Sequence, residues 1–279
     1  MPTTTEDRIT VTIEGGVADV RLVRTDKMNA LDDAMFSALV ETGDRLKSDP
    51  NVRAVVLSGD GRAFCAGLDM GNFGRMAEGP RAAPAGGAPG GDDFAKRTHG
   101  VANRAQYAVW VWREIPVPVI AAVHGVAFGG GFQLALGADM RFVAPDTRMA
   151  VLEIKWGLVP DMAGTMLMRH LAREDVVREL TYTGRIFSGE EALAMGFATR
   201  VCADPRAEAL AVAREIAGKN PHAVRASKRI LNAAVITDPG AGLLQETEEQ
   251  IALIGSPNQV EAVMANLQKR DPVFSDATD

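Results

Sequence analysis

Two glycine-rich stretches of the chain could present backbone N–H groups to a negatively charged atom of a substrate. The first spans residues 61–70, and the second spans residues 124–135 and contains three consecutive glycines, Gly129 to Gly131. Glycine lets a ligand approach the backbone because no Cβ stands in the way, and free N–H groups at the start of a helix attract negative charge. One N–H from each stretch, aimed at one point, would form an oxyanion hole. The alternative, for a single glycine run, is a tight turn that packs a helix on a strand.

Neither stretch has the spacing of a nucleotide-binding motif. The G-x-G-x-x-G spacing of a dinucleotide-binding βαβ unit is absent, and no Lys-Ser or Lys-Thr pair follows the glycines as in a P-loop. Each stretch does follow a predicted buried strand. Two such loops are a more specific indication of a substrate site than one glycine run.

Glu153 is a candidate acid–base residue because it lies in the largely apolar stretch from Ala150 to Trp156. Burial of a carboxyl group among apolar side chains raises its pKa toward neutrality, where it can exchange protons. The alternative is a surface glutamate paired with Lys155.

The cysteines and histidines predict neither a nucleophile nor a metal site. Cys65 lies in the first loop without an evident partner base, which favours a small buried thiol. His124 at a strand end is typical of a packed or hydrogen-bonded histidine, and the four histidines lack metal-ligand spacing. With only Cys65 and Cys202, a disulfide framework is excluded, and a reducing cytoplasm is the expected compartment.

The elements that must position these residues can be predicted from hydrophobic patterning. Residues 9–13 and 17–23 alternate around a Glu-Gly-Gly turn and predict a hairpin. Asp32 is expected to cap a helix, and residues 53–58 and 117–123 predict two buried strands. Further helices are predicted over residues 104–113, 162–171, 206–218, 222–234, 243–254 and 259–269.

The domain organisation predicted from this pattern is a core over residues 1–200 and a helical C-terminal region over residues 201–279. Clustered Gly, Ala and Pro at residues 71–100 predict a flexible loop within the core. The apolar faces of the C-terminal helices are expected to make subunit contacts.

Composition excludes several classes of protein. Of the 279 residues 47% are hydrophobic, no apolar run approaches the roughly 18 residues of a membrane helix, and the first residues lack the pattern of a signal peptide. The net charge of −6 speaks against nucleic-acid binding, which needs a clustered basic face.

Several short motifs, in this order and spacing, resemble the enoyl-CoA hydratase/isomerase (crotonase) superfamily over roughly residues 8–274. The resemblance implies an α/β fold, a spiral of ββα units with a helical C-terminal trimerisation region, and trimers that pair into hexamers. It also implies a coenzyme A thioester as substrate in fatty-acid metabolism, without another cofactor or a metal. The motifs are Asn29-Ala30-Leu31, Ala63 to Asp69, Gly129 to Gly131, Ala138 to Arg141, Gly157 to Pro160, Thr183-Gly184-Arg185, Ala192 to Gly196 and Lys269-Arg270.

Position by position, the resemblance implies that the N–H groups of Leu68 and Gly130 hold the thioester oxygen. Hydratases of this family carry two glutamates, and here Gln133 stands at the first position and Glu153 at the second. A glutamine neither takes nor gives a proton at neutral pH, although it can orient a water. Asp161 matches an aspartate of the members that shift double bonds in dienoyl-CoA; directly after a proline, it could instead be a helix N-cap.

The resemblance also places coenzyme A or substrate contacts at a set of further residues. The cationic members of the set could instead be solvated surface charges. The set comprises Arg24, Lys27, Met28, Ala66, Asp69, Met70 and Lys269, the last reaching a neighbouring subunit.

The sequence therefore favours an enzyme that shifts a double bond through Glu153, with Asp161 as a possible partner. Hydration with Glu153 as the sole carboxylate is the nearest alternative. A protein that binds acyl-CoA without turnover is a further alternative. RNA binding, found in some relatives, is disfavoured by the acidic charge.

Overall fold

The computed structural model describes residues 3–5, 8–72 and 95–277, and its sheet begins with the predicted hairpin. Strand β1 (Thr3–Thr5) pairs antiparallel with β2 (Ile9–Glu14), and β2 pairs antiparallel with β3 (Val17–Leu22). The turn between β2 and β3 consists of Gly15 and Gly16, both with positive φ, which glycine adopts without strain. The hairpin prediction is confirmed.

Four parallel strands extend the sheet in chain order. They are β4 (Ala54–Gly59), β5 (Val119–Val123), β7 (Met140–Val143) and β9 (Arg200–Val201). The resulting order is β1-β2-β3-β4-β5-β7-β9. Every residue of β4 and β5 is buried, which explains why these strands read as continuous apolar runs rather than alternating ones.

A separate two-stranded parallel ladder lies next to the sheet's loops. It pairs β6 (Val126–Phe128) with β8 (Arg148–Ala150). Neither strand was predicted from the sequence, because three residues are too few to show a period. This ladder positions two segments of the candidate site. The helix that begins at Gly130 follows β6, and Glu153 follows β8.

Ten α-helices lie wholly within the described residues. Asp32 caps the first through a hydrogen bond from the Met35 N–H to its carboxylate, as predicted. The helices are α1 (Asp33–Ser48), α2 (Arg104–Glu114), α3 (Gly130–Leu136), α4 (Gly164–Met168), α5 (Glu174–Thr183), α6 (Gly189–Met195), α7 (Pro205–Ala217), α8 (Pro221–Ala234), α9 (Pro239–Leu253) and α10 (Pro257–Gln268).

Helices cover both faces of the sheet. Val55 and Leu57 belong to a large core cluster with residues of α1 and α2, whereas Val56 packs with Ala209 and Ala213 of α7 on the opposite face. This division follows from the alternation of side chains along a strand. Helix α7 lies beyond the predicted boundary at residue 200 yet covers the sheet, and the division into two regions stays a prediction.

One helix prediction needs correction, and two helices were not predicted. The helix expected at residues 162–171 is limited to α4, because Ala163 adopts a left-handed conformation with φ of 65° that an α-helix cannot contain. Helices α5 and α6 were not predicted. Of the predicted loop at 71–100, residues 73–94 lie outside the described residues. In the described part of the chain, no helix is long and apolar enough to cross a membrane.

Candidate active site

The two glycine-rich loops lie side by side, joined by backbone hydrogen bonds. The Cys65 N–H donates to the Val126 oxygen (3.0 Å), and the Phe128 N–H donates to the Cys65 oxygen (3.2 Å). The backbone of Gly131 packs so closely against Cys65 that any Cβ there would collide with the Cys65 carbonyl. The third glycine of the run is therefore required by this approach, and the two predicted loops converge.

Two backbone N–H groups are available where the loops meet. Among the residues that the structure describes, neither the N–H of Leu68 nor that of Gly130, the first residue of α3, has a hydrogen-bond acceptor. Gly67, which precedes Leu68, has a φ of 87°, and a Cβ built on it would lie 3.6 Å from the Gly130 nitrogen. This placement agrees with the predicted oxyanion hole, whose function stays a prediction.

Glu153 lies on the short 3₁₀ turn Glu153–Trp156 that follows β8, and its side chain is held at one oxygen only. Its Oε1 accepts a hydrogen bond of 2.6 Å from Gln133 Nε2. Its Oε2 is buried and has no hydrogen-bond partner among the described residues. A buried carboxylate oxygen without a partner is costly, which makes this atom a candidate for contact with a substrate proton.

The electrostatic setting of Glu153 suits proton transfer. Burial raises the pKa of Glu153 above its ordinary value, the negative charge of Asp161 raises it further, and the hydrogen bond from Gln133 partly opposes both. The alternative of a surface glutamate paired with Lys155 is excluded, because Glu153 is buried and Lys155 is exposed over the Trp156 ring.

Gln133, on α3, is buried and engaged at both ends of its amide. Its Nε2 donates to Glu153, and its Oε1 accepts hydrogen bonds of 2.9 Å each from the N–H groups of Met162 and Gly164. The structure thus brings together the two positions, Gln133 and Glu153, at which the resemblance expects acid–base residues. They form an amide–carboxylate pair.

Asp161 is half-buried and precedes Met162 in the turn that Gln133 holds. Burial raises its pKa, and its charge acts on Glu153. The N-cap alternative for Asp161 is wrong, because α4 begins after Ala163 and has no side-chain cap.

Arg24 stabilises the first glycine-rich loop through hydrogen bonds. Its Nη1 donates to Asp69 Oδ2 (2.6 Å) and to the Ala30 oxygen (2.9 Å). Although burial raises the pKa of Asp69, the hydrogen bonds from the Gly71 N–H and from Arg24 lower it below its ordinary value. Asp69 directly follows Leu68, so Arg24 fixes the segment that carries one predicted N–H donor.

The other predicted ligand contacts are distributed around this loop and at the far end of the chain. Lys27 and Met70 are exposed, and the Met28 oxygen accepts from the Ala66 N–H at 2.9 Å. Lys269 is exposed at the end of α10. Its predicted contact involves a second subunit and stays a prediction.

Asn29 is a supporting residue whose role sequence analysis missed. Its buried Nδ2 donates to the oxygens of Ala63 (2.8 Å) and Asp60 (3.1 Å), which ties the start of the first loop to the turn after β3. The only sequence signal was its place in the Asn29-Ala30-Leu31 motif.

Cys65 and His124 behave as the sequence predicts. Burial raises the pKa of the Cys65 thiol to about 12, and its Sγ donates to the Asn29 oxygen, so it is not an activated nucleophile. A ring nitrogen of His124 lies 3.0 Å from the Gly61 oxygen. The described part of the chain contains no cluster of His, Cys, Asp and Glu that could hold a metal ion.

The sequence of the chain is similar to those of known enzymes over most of its length. A sequence profile described as enoyl-CoA hydratase/isomerase matches residues 17–278. The chain is 35% identical over 220 residues to human mitochondrial Delta(3,5)-Delta(2,4)-dienoyl-CoA isomerase, covering 76% of this chain and 64% of the isomerase. It is 28% identical over 266 residues to mouse mitochondrial methylglutaconyl-CoA hydratase, covering 93% of this chain and 79% of the hydratase.

A solved structure supports the fold. The crystal structure of an enoyl-CoA hydratase from Mycobacterium smegmatis superimposes with a TM-score of 0.81 at 30% identity, covering 96% of this chain and 99% of that one. The predicted crotonase-like α/β fold is thereby confirmed. The chain spans 64% of the length of the human isomerase.

Proposed function

This chain belongs to the enoyl-CoA hydratase/isomerase family, and we propose that it is an enzyme which holds an acyl-CoA thioester by its carbonyl oxygen and shifts a double bond by proton transfer. The observation that carries this proposal is the state of Glu153. One of its oxygens is held by Gln133, and the other is buried and has no hydrogen-bond partner among the residues that the structure describes.

The proposed reaction begins with polarisation of the thioester. The N–H groups of Leu68 and Gly130 would receive the carbonyl oxygen and stabilise the negative charge that develops on it as an enolate forms. Each such donor in a dry site is worth on the order of 10² to 10³ in rate.

Glu153 would then carry the proton. As a carboxylate, its Oε2 removes a proton from the α or γ carbon, the electron pair moves into the conjugated enolate, and the resulting carboxylic acid returns the proton to another carbon. Charge and atoms balance without another cofactor. The raised pKa of Glu153 brings its two protonation states closer in energy and so favours both steps.

Gln133 is the reason for preferring isomerisation to hydration. Addition of water needs one group to activate the water and a proton for the carbon, and an amide exchanges no proton at neutral pH. Hydration with Glu153 as the sole carboxylate is the second candidate, and the similarity to a methylglutaconyl-CoA hydratase favours it.

Asp161 is proposed as the second proton carrier for conjugated dienes. Its charge is coupled to Glu153, and a shift across a diene moves a proton between distant carbons. The similarity to a dienoyl-CoA isomerase supports this role.

The remaining proposals concern ligand contacts, assembly and location. Lys27 would meet the coenzyme A phosphates, with Lys269 contributing from a neighbouring subunit. Met28, Ala66 and the exposed Met70 would make further contacts with coenzyme A or the substrate. A homotrimer or homohexamer in the cytoplasm, without nucleic acid or membrane insertion, completes the proposal.

The deciding experiment offers the protein saturated, 2-enoyl, 3-enoyl and 3,5-dienoyl thioesters and follows products by mass and ultraviolet absorbance. Isomerisation without a mass change supports the proposal, and a gain of 18 mass units, that of one water, as the main outcome supports the hydratase alternative. Binding without conversion of any thioester would indicate a carrier protein. Asp161→Asn should reduce conversion of dienoyl substrates only.

A further inference from the structure

Gln133 makes three hydrogen bonds that join two separate parts of the candidate site. Its amide nitrogen holds Glu153 Oε1, and its carbonyl oxygen holds the N–H groups of Met162 and Gly164. The orientation of the amide follows from chemistry, because two backbone N–H groups require an acceptor. A carbonyl oxygen has two lone pairs, and both are engaged here.

The turn held by Gln133 has a shape that needs such an acceptor. Ala163, between the two donors, is one of the few non-glycine residues with positive φ, and its left-handed conformation aims the flanking N–H groups at one point. At Gly164 a Cβ would lie only 2.6 Å from Gln133 Oε1 and 2.7 Å from its Cγ. The glutamine side chain therefore lies directly on this turn.

The same turn carries Asp161 and Met162. Asp161 is electrostatically coupled to Glu153. The side chain of Met162 reaches the start of α3, where a Cβ on Gly130 would lie 2.8 Å from its sulfur. Displacement of the turn would move both groups relative to the Leu68 and Gly130 N–H groups.

We infer that Gln133 is a positioning residue: it fixes Glu153 Oε1 and the Met162–Gly164 turn together, and leaves Oε2 as the oxygen of Glu153 that transfers protons. This inference rests on the proposed function and specifies which reactions the site favours.

Both lone pairs of the Gln133 carbonyl oxygen already accept hydrogen bonds, and this has a chemical consequence. A nucleophilic water must be oriented by acceptors for its hydrogens so that a lone pair faces the carbon. Among the described residues, both lone pairs of the Gln133 carbonyl oxygen are already engaged, and the oxygen of Glu153 without a partner is Oε2. The arrangement thus suits a proton shift by one carboxylate better than delivery of a water.

The test compares the wild type with Gln133→Met, which keeps the length of the side chain and removes its hydrogen bonds. Gln133→Glu keeps an acceptor for both N–H groups. The matched control is Gln250→Met, a glutamine exposed on α9. Circular dichroism and thermal melting verify that each variant folds.

The first measurement is residue-resolved hydrogen exchange at Met162 and Gly164, which requires no activity. Gln133→Met should accelerate exchange at both N–H groups at least about fivefold, the effect of losing an ordinary hydrogen bond. Gln133→Glu and Gln250→Met should leave these positions protected. Unchanged exchange in Gln133→Met would overturn the inference.

The second measurement is the pH profile of kcat/KM on the best thioester. Gln133 lowers the pKa of Glu153 by its hydrogen bond, so its removal should move the acidic limb to higher pH. Gln133→Glu should also move that limb upward, since two carboxyl groups would share a proton, and should increase the hydrated fraction of product. A limb that stays in place in both variants contradicts the positioning role.

The two measurements separate this inference from the proposed function. If the wild type converts no thioester, the proposed function fails, and hydrogen exchange still tests whether Gln133 holds the turn. If the wild type is active and Gln133→Met changes neither measurement, the proposed function survives and the positioning role is wrong.

Discussion

The carboxylate of Glu153 lies against the backbone of Gly129, where a Cβ would stand only 3.2 Å from Oε1. Gly129 has a φ of 50° and precedes Gly130 at the start of α3. Because Gly129 has no side chain, the Glu153 carboxylate can lie close to the N–H of Gly130, which has no acceptor among the described residues. The proposed mechanism would therefore place charge stabilisation and proton transfer at one turn.

Glu153→Gln should abolish isomerisation. The substituted amide can still accept from Gln133 but cannot exchange protons, so kcat should fall at least about a thousandfold. Ultraviolet absorbance of enoyl and dienoyl thioesters measures the loss, and Glu246→Gln on the surface of α9 is the control. Near-wild-type rates for Glu153→Gln on every thioester would refute the mechanism.

The same substitution should stabilise the fold at alkaline pH. The folded-state pKa of Glu153 is raised by burial, so its contribution to stability is greatest below the unfolded value and is lost as the pH rises through the folded value. Glu153→Gln should therefore melt higher than the wild type at pH 8, by roughly 2 °C or more. The difference should shrink as the pH falls toward 4.5. A constant difference between pH 4.5 and pH 8 would speak against a buried ionised carboxylate.

Gly130→Val tests the oxyanion hole. The atoms nearest to an added Cβ would be the side-chain ends of Met162 and Leu31, at 2.8 Å and 2.9 Å, so we expect the fold to survive while the thioester position is filled. We expect kcat to fall at least about a hundredfold. Gly218→Val, after α7, has only ordinary contacts and serves as the control. Full turnover by a folded Gly130→Val would remove Gly130 from the mechanism.

Substitutions at Lys27 and Arg24 should affect different kinetic constants, KM for Lys27 and kcat for Arg24. Lys27 is exposed, and its replacement by alanine should raise KM roughly two- to fivefold with kcat unchanged, the effect of one solvated ion pair. Arg24→Met should instead lower kcat at least about tenfold. The substitution removes the hydrogen bond to Asp69, which fixes the loop around Leu68.

A thioester that lacks the coenzyme A phosphates is the control for this pair. With an N-acetylcysteamine thioester, the Lys27→Ala effect should vanish and the Arg24→Met effect should persist. An equal KM change in Lys27→Ala with both substrates would exclude phosphate binding by Lys27.

The exposed apolar residues of the C-terminal helices predict assembly. Leu231, Leu243, Ile251 and Leu267 are each at least 64% exposed in the single chain, more than a soluble monomer usually leaves in contact with water. Sedimentation should therefore show a trimer or hexamer at micromolar concentration, and Ile251→Lys should shift the equilibrium toward smaller species. A stable wild-type monomer would contradict this and would also exclude Lys269 from a neighbour's site.

Local patterns predicted the hairpin, the two buried strands β4 and β5, and most of the helices. The alternation around Gly15-Gly16 and the cap at Asp32 are encoded within a few residues, and the structure contains both. Strands β6 and β8 could not be predicted, because each has three residues and is defined by pairing with the other.

The candidate site was predictable in its residues but not in its connections. The apolar neighbours of Glu153 indicated its burial, and the glycines indicated the close approach of two loops. Nothing local showed that Gln133 would accept from Met162 and Gly164, which are far along the chain. The left-handed Ala163 is likewise set by that tertiary contact, against the preference of alanine for a helix.

The order of strands in the large sheet has a consequence for synthesis of the chain. From β2 to β5, and then through β7 to β9, each strand pairs with the one that precedes it in that sheet. During synthesis, each of these strands therefore pairs with a strand that has already been made, and the most recently added strand always forms the free edge of the sheet. The sheet can assemble vectorially, and the two-residue β9 ends it by leaving too little edge for a further strand to join.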